Sequence, residues 1–213
     1  MMDLVIKMAL AYLLGSVSGS MVVGGIRRVD IRGSGSGNAG GTNAFRTQGF
    51  GFALPVVIID VGKGALAAWL LPQLELAALG QPAAPLYQLL GCAFAAVVGH
   101  CYPVWYGFRG GKGAATAVGA LLVIQPQVVP VMLLTWLAVL AITGWVGLST
   151  MLAALSLVPA TLWFGSPAPV VGFGVLLAAF IVFTHRANIR KMRSGNEHRF
   201  ERARARNWFR RAG

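Results

Sequence analysis

Charged residues are scarce in this chain of 213 residues, at 11%, where soluble domains carry about 25%. With 56% hydrophobic residues, that deficit excludes an ordinary soluble domain and predicts an all-α integral membrane protein. Acidic side chains are scarcer still: 6 Asp and Glu stand against 18 Lys and Arg, a formal net charge of +12. On a soluble protein this balance would suggest nucleic acid. Here the basic residues collect between apolar stretches, as cytoplasmic loops retain them, so the expected partner is the lipid bilayer and not nucleic acid. Cysteine is limited to Cys92 and Cys101. Both fall on one predicted helix, ~13 Å apart and beyond disulfide reach. No metal-ligand spacing surrounds them, and neither a metal nor a cofactor is expected. The first apolar run is too long for a signal peptide, and Arg27 and Arg28 follow it where a small, neutral cleavage site would stand. Internal repeats and low-complexity linkers are also missing. The chain reads as a single transmembrane domain over 1–213, with a basic cytoplasmic tail at about 186–213.

A bilayer is crossed by about 20 predominantly apolar residues in helical form. Candidate helices cover 4–25, 52–71, 86–103, 114–124, 127–143, 145–164 and 170–184. The fourth is short, and Gln125-Pro126 separates it from the fifth with almost no loop. It is either a half-length helix packed inside protein or one arm of a long kinked element, so the count is seven or six. The loops favour seven. Arg27, Arg28, Arg32 and Arg46, then Arg109 and Lys112, then the 10 basic residues after His185 occupy alternate connections, while the turns near 72–85, 125–126 and 165–169 hold no Lys or Arg. The amino terminus is then outside and the carboxyl terminus cytoplasmic. Trp69 and Trp163 fall near outer helix ends, and Trp105 and Trp145 near inner ends, as interfacial aromatics do. Gly15-x-x-x-Gly19, among Ser16, Ser18 and Ser20, predicts a seam of close helix packing.

The chemistry is expected in the basic loops. In the first, Gly35-x-Gly37-x-x-Gly40 matches the letters of a dinucleotide fingerprint, but no buried strand precedes it and Asp60 lies inside an apolar helix. An anion cradle fits better: glycines free backbone N–H groups to converge, Ser36, Asn38, Thr42 and Asn43 add neutral donors, and Arg46 adds a bidentate cation. The second loop is no Walker motif, since Tyr106 stands where its first glycine belongs and Gly113 replaces the magnesium-binding hydroxyl. Yet Gly110, Gly111, Lys112 and Gly113 run directly into a helix start, where backbone donors, the helix dipole and an ammonium favour phosphate. The third segment leaves the last helix with His185, Asn188 and Glu197 among its basic residues. A surface anchor explains the residues from Arg202 to Arg211 but does not call for those three. His185 also suits a helix carboxyl end. Asp60 and Lys63, three apart on one helix face inside an apolar segment, are either a structural ion pair or part of the site.

These segments, in this order, resemble the bacterial acyl-phosphate:glycerol-3-phosphate acyltransferases of the PlsY type. The resemblance is carried by Gly35 through Arg46 (Gly-Ser-x-Asn-x-Gly-x-Thr-Asn-x-x-Arg), Asp60-x-x-Lys63-Gly64, Gly99-His100-x-x-Pro103, Gly110-Gly111-Lys112-Gly113, and His185-x-x-Asn188-Ile189 with Gly195-x-Glu197. Ala39, Gly41 and Ala117 depart from the usual small residues without removing a donor. The resemblance implies transfer of a fatty acyl group from acyl phosphate to the 1-hydroxyl of glycerol 3-phosphate, giving lysophosphatidic acid and phosphate in phospholipid biosynthesis. It also implies residence in the bacterial inner membrane, and it leaves room for transient contact with the soluble enzyme that makes acyl phosphate. The His-x-x-x-x-Asp pattern of soluble acyltransferases is absent, so a thioester is not the expected donor. Expected catalytic residues are Ser36, Lys112, His185 and Glu197. Expected substrate-binding residues are Gly35, Asn38, Thr42, Asn43, Arg46, Asp60, Lys63, His100, Gly110, Gly111, Gly113 and Asn188. Lys112 and its loop are assigned to the acyl-phosphate head group, and Ser36, Arg46, His185 and Asn188 to glycerol 3-phosphate. The proton acceptor is His185, Glu197 or the donor phosphate. The rival class is an organic-phosphate transporter. Asp60 and Lys63 favour it, whereas the confinement of the other polar residues to loops on one side does not.

Overall fold

The computed structural model describes residues 2–76 and 83–201, and among these every regular element is helical. The predicted tail from Arg202 to Arg211 and part of the turn near 72–85 lie outside the described residues. The chain forms two compact units, Met1–Pro126 and Gln127–Gly213.

The first unit contains α1 (Met2–Gly15), α2 (Gly19–Arg27), α3 (Gly41–Gln48), α4 (Phe50–Leu70), α5 (Pro85–Cys101) and α6 (Ala114–Ile124). The single first helix expected from the sequence is broken in two at Ser16, Val17 and Ser18. Ser16 Oγ donates back to the Tyr12 carbonyl at 2.8 Å, and Ser18 is extended, with φ −86° and ψ 121°. A break inside an apolar segment leaves backbone groups that hydrocarbon cannot satisfy. Here α4 satisfies them: Lys63 Nζ donates to the Val17 carbonyl at 2.7 Å, and Asp60 Oδ1 accepts the Gly19 N–H at 3.1 Å. Gly15 and Gly19 therefore serve different neighbours. A Cβ on Gly15 would strike the Ala96 backbone of α5, and one on Gly19 the Val56 carbonyl of α4.

Glycine contacts also hold α4 against α6, where a Cβ on Gly64 would overlap the Thr116 carbonyl and one on Gly119 the Val61 carbonyl. Such approach gives dispersion contact and short helix separation where lipid supplies no hydrophobic drive. The interior is accordingly small and polar, with Ala11, Ala67, Cys92 and Ala96 fully buried beside Asp60, Lys63 and His100. Large apolar side chains such as Val57, Ile58, Leu66 and Trp69 are exposed. At the end of α4 and α5 remote from the basic loops, Lys7 Nζ meets Asp3 Oδ1 at 3.2 Å, Gln88 Oε1 at 2.6 Å and the Pro72 carbonyl at 3.1 Å.

The second unit contains α7 (Val128–Thr143), α8 (Val146–Trp163), α9 (Ala168–Thr184) and α10 (Arg186–Arg193). Gly144 at φ 74° turns α7 into α8, and Gly165 at φ 65° follows α8. α10 leaves α9 with a bend of 53°. The following segment returns to the start of α8: the Phe200 N–H donates to the Gly144 carbonyl at 2.9 Å, and the Arg199 guanidinium lies 4.6 Å from the Trp145 ring centre.

Each apolar segment read from the sequence is helical, but length divides them. Among the described residues 4 stretches are long and apolar enough to cross a membrane, or up to 5 if α9 and α10 form one bent span. α6, of 11 residues, is ~16 Å long against a hydrocarbon core of about 30 Å. It is a half-length helix separate from α7, which is the first of the two alternatives raised by Gln125-Pro126.

Candidate active site

The first cradle is built around Asn43. Fully buried on α3, it donates both amide hydrogens, to the Ile31 carbonyl at 3.0 Å and the Ser34 carbonyl at 3.1 Å, and its Oδ1 accepts the Ser36 N–H at 2.9 Å. Gly35 sits at φ +60°, and a Cβ there would overlap Asn43 Oδ1, so both backbone conformation and space require glycine. Asn43 was expected to offer a donor to substrate. Its amide hydrogens are instead used to close the loop, and its Oδ1 holds the backbone of Ser36, which is exposed. Thr42, also exposed, stands in the first turn of α3, and Arg46 lies in its last turn.

Asp30 and Arg32 fasten this cradle to the second. The Asp30 carboxylate accepts the Arg32 backbone N–H at 2.9 Å and is gripped by Arg32 Nε and Nη2 at 2.8–3.1 Å. The side-chain hydrogen bond from Arg32 holds the Asp30 carboxyl below its ordinary value of 3.8. Arg32 Nη1 also donates to the Tyr106 carbonyl at 3.1 Å, which places both basic loops at one end of the first unit.

In the second loop the geometry corrects one expectation. The Gly110 N–H donates to the Cys101 carbonyl at 3.2 Å and the Gly111 N–H to the His100 carbonyl at 3.0 Å. They satisfy carbonyls left open at the carboxyl end of α5 and do not point into a phosphate site. Both glycines remain necessary, since a Cβ on Gly110 would overlap the His100 carbonyl and one on Gly111 the His100 ring. Gly113 at φ +89° is the N-cap of α6. The first intrahelical bond runs from the Ala117 N–H to the Gly113 carbonyl at 2.8 Å. The first-turn N–H groups of Ala114, Ala115 and Thr116, which an α-helix leaves without intrahelical carbonyl partners, follow Lys112 and Gly113 directly in the chain.

Asp60, Lys63 and His100 come together in the core of the same unit. Lys63 Nζ lies 3.0 Å from Asp60 Oδ1 and 2.8 Å from His100 Nδ1, and His100 Nδ1 lies 3.3 Å from Asp60 Oδ1. The sequence placed Asp60 and Lys63 on one face but gave no sign that His100 completes the cluster. It also passed over Asp3 and Lys7, although ionisable residues four apart in an apolar segment are the same kind of signal.

In the second unit His185 is buried at the junction of α9 and α10. Its Nδ1 lies 2.8 Å from the Ile181 carbonyl. A carbonyl only accepts, so Nδ1 carries the proton and the lone pair of a neutral ring is on Nε2. Asn188 Nδ2 donates to Glu197 Oε1 at 2.7 Å. Gly195, at φ +75°, turns the chain so that Glu197 reaches it, and a Cβ on Gly147 would overlap the Asn188 amide. Glu197 thereby fixes the orientation of Asn188.

Long apolar helices that expose large hydrophobic side chains and bury ion pairs define a polytopic membrane protein. Residues 5–195 match the model of the glycerol-3-phosphate acyltransferase family, and the chain belongs to that family. It is 41% identical over 191 residues to the glycerol-3-phosphate acyltransferase of Syntrophomonas wolfei, covering 89% of this chain and 93% of the relative. It is 43% identical over 189 residues to that of Geobacillus kaustophilus, covering 88% and 91%. Its fold is similar to the crystal structure of PlsY (YgiH), an integral membrane glycerol 3-phosphate acyltransferase, in the glycerol 3-phosphate form. The TM-score is 0.80 at 33% identity, over 92% of this chain and 95% of that one. Against the lysophosphatidic acid form the TM-score is 0.79 at 32% identity.

Proposed function

We propose that this membrane glycerol-3-phosphate acyltransferase takes its acyl group from acyl phosphate. The 1-hydroxyl oxygen of glycerol 3-phosphate attacks the acyl carbonyl carbon, an ester C–O bond forms, and the bond from that carbon to the phosphate oxygen breaks. The products are lysophosphatidic acid and inorganic phosphate, and the hydroxyl proton passes to His185 Nε2, Glu197 or the departing phosphate. The observation that carries the reading is the Arg32 bridge from Asp30 to the Tyr106 carbonyl. It brings two loops suited to anions to one end of the first unit, as a reaction between two phosphorylated reactants requires.

Lys112 and the first turn of α6 are assigned to the donor head group. Ser36, Asn38, Thr42 and Arg46 are assigned to glycerol 3-phosphate. Acyl phosphate is an activated anhydride, so catalysis consists mainly of positioning and of stabilising the developing oxyanion. The orientation that follows has the basic loops and the carboxyl terminus in the cytoplasm of a bacterial inner membrane and the amino terminus outside. It also allows transient contact with a soluble enzyme that supplies acyl phosphate.

Purified protein mixed with palmitoyl phosphate and glycerol 3-phosphate is expected to release phosphate, while palmitoyl-CoA is expected to give no product. Lys112→Ala is expected to lower turnover at least about a hundredfold, the scale on which transition-state charge stabilisation acts. Turnover with palmitoyl-CoA alone would overturn the donor assignment, and near-normal turnover of the variant would remove Lys112 from the site.

A further inference from the structure

One apolar face of α9 is turned outward, with Val175, Leu176 and Phe183 exposed. That face ends at Phe183. There the Arg186 guanidinium lies 4.4 Å from the Phe183 ring centre, and Arg186 Nη1 donates to the Phe183 carbonyl at 3.2 Å. A guanidinium resting on the last outward ring of an apolar helix marks the level at which hydrocarbon gives way to head groups. From this point the 53° bend carries α10 off the line of α9, and no residue of α10 is buried.

The two sides of α10 differ. With 3.6 residues per turn, Arg186, Arg190 and Arg193 fall within about 60° of one another around the helix, and all three are exposed. Asn188 is on the opposite side. It bonds Glu197 at 2.7 Å and lies against α8, where a Cβ on Gly147 would overlap its amide. Lys191 adds a fourth exposed cation beside the arginine stripe, and no acidic residue falls between 186 and 196. Among the described residues, none of Arg190, Lys191 and Arg193 forms an ion pair with a carboxylate. A helix that served only to carry Asn188 would need no cationic stripe on its other side.

We propose that Arg186, Arg190 and Arg193 form a binding surface for anionic phospholipids, whose phosphate head groups lie along the stripe while their acyl chains run beside the exposed face of α9. Basic clusters directly after a spanning helix attract anionic lipid in this way. A soluble acidic protein would match the charge, but it would make no use of the apolar face that leads up to Phe183. The lipid steadies α10 from the side opposite Asn188, and its binding is independent of which acyl donor the enzyme uses.

The test places the full chain in phosphatidylcholine vesicles and reads, by electron paramagnetic resonance, how strongly it retains spin-labelled phosphatidylglycerol relative to spin-labelled phosphatidylcholine. The unaltered protein is expected to prefer phosphatidylglycerol about threefold or more, and the preference is expected to shrink as salt rises from about 0.05 M to about 0.5 M. Arg190→Gln with Arg193→Gln is expected to halve it at least, and Arg190→Lys with Arg193→Lys to retain most of it. Arg27→Gln with Arg28→Gln removes the same charge from another exposed site and is expected to leave most of the preference in place. Melting temperatures in detergent show that each variant is folded, and the salt series on unaltered protein reads the same surface without any substitution. Absence of a preference, or equal losses from the two glutamine pairs, overturns the proposal. So does retention of soluble polyglutamate that is lost in the α10 glutamine variant while its lipid preference stays unchanged, since that result assigns the stripe to an acidic protein.

Discussion

Asn43, expected from the sequence to bind substrate, turns back onto its own loop, and so does Asp30. Asn43 closes three hydrogen bonds around Gly35 and Ser36, and Asp30 holds the Arg32 guanidinium that reaches Tyr106. The Arg32 hydrogen bond lowers the Asp30 pKa below 3.8. A depressed carboxyl contributes stability that is fully present above its unfolded value and is lost as pH falls through the lowered folded value. Thermal melts of purified protein between about pH 3 and pH 5 are expected to show this acid loss, and Asp30→Asn is expected to flatten it while lowering the melting temperature slightly at neutral pH. An identical acid limb in the variant would show that the pair adds nothing. The residue types of this loop were legible because few other settings need Gly35, Ser36, Asn43 and Arg46 so close together. Which of them faces outward was not, because the direction of an amide depends on a backbone path that spacing alone does not fix.

Helix existence was legible for every apolar segment, since only a helix satisfies backbone groups within hydrocarbon. The break at Ser16, Val17 and Ser18 was hidden because the groups that stabilise it, Asp60 and Lys63, lie far along the chain on α4. The same holds for Gly110 and Gly111, whose N–H groups were read as phosphate donors although they complete the end of α5. A glycine motif announces close approach without naming the partner. The α4 and α6 pair makes this measurable. Gly64→Ala would place a methyl against the Thr116 carbonyl, whereas a Cβ on Gly62 meets nothing within 4 Å. Gly64→Ala is expected to destabilise the protein by about 1–3 kcal/mol through overpacking, and Gly62→Ala to change stability by no more than about 1 kcal/mol, in the stabilising direction set by helix propensity. Detergent melts of both variants check this, and equal melting temperatures would remove the close crossing as a source of stability.

At the scale of the molecule, the scarcity of charge made the membrane class readable, because most Lys and Arg fall outside the apolar segments. Span number was less readable, since α6 and α7 are apolar without the length of a full crossing. Sidedness supplies the corresponding prediction: single cysteines introduced at Arg46, Arg109 and Arg193 are expected to react with a membrane-impermeant thiol reagent only from the cytoplasmic face. Labelling of any of the three from outside would overturn the proposed orientation. The knot formed by Asp3, Lys7, Gln88 and the Pro72 carbonyl bears on traffic through the first unit. It ties α1, α5 and the turn after α4 together at the end away from the loops. A carrier must unfasten each end in turn. Parting the helices of the first unit at this end would strip a buried ion pair of its partners, so the knot weighs against alternating access there.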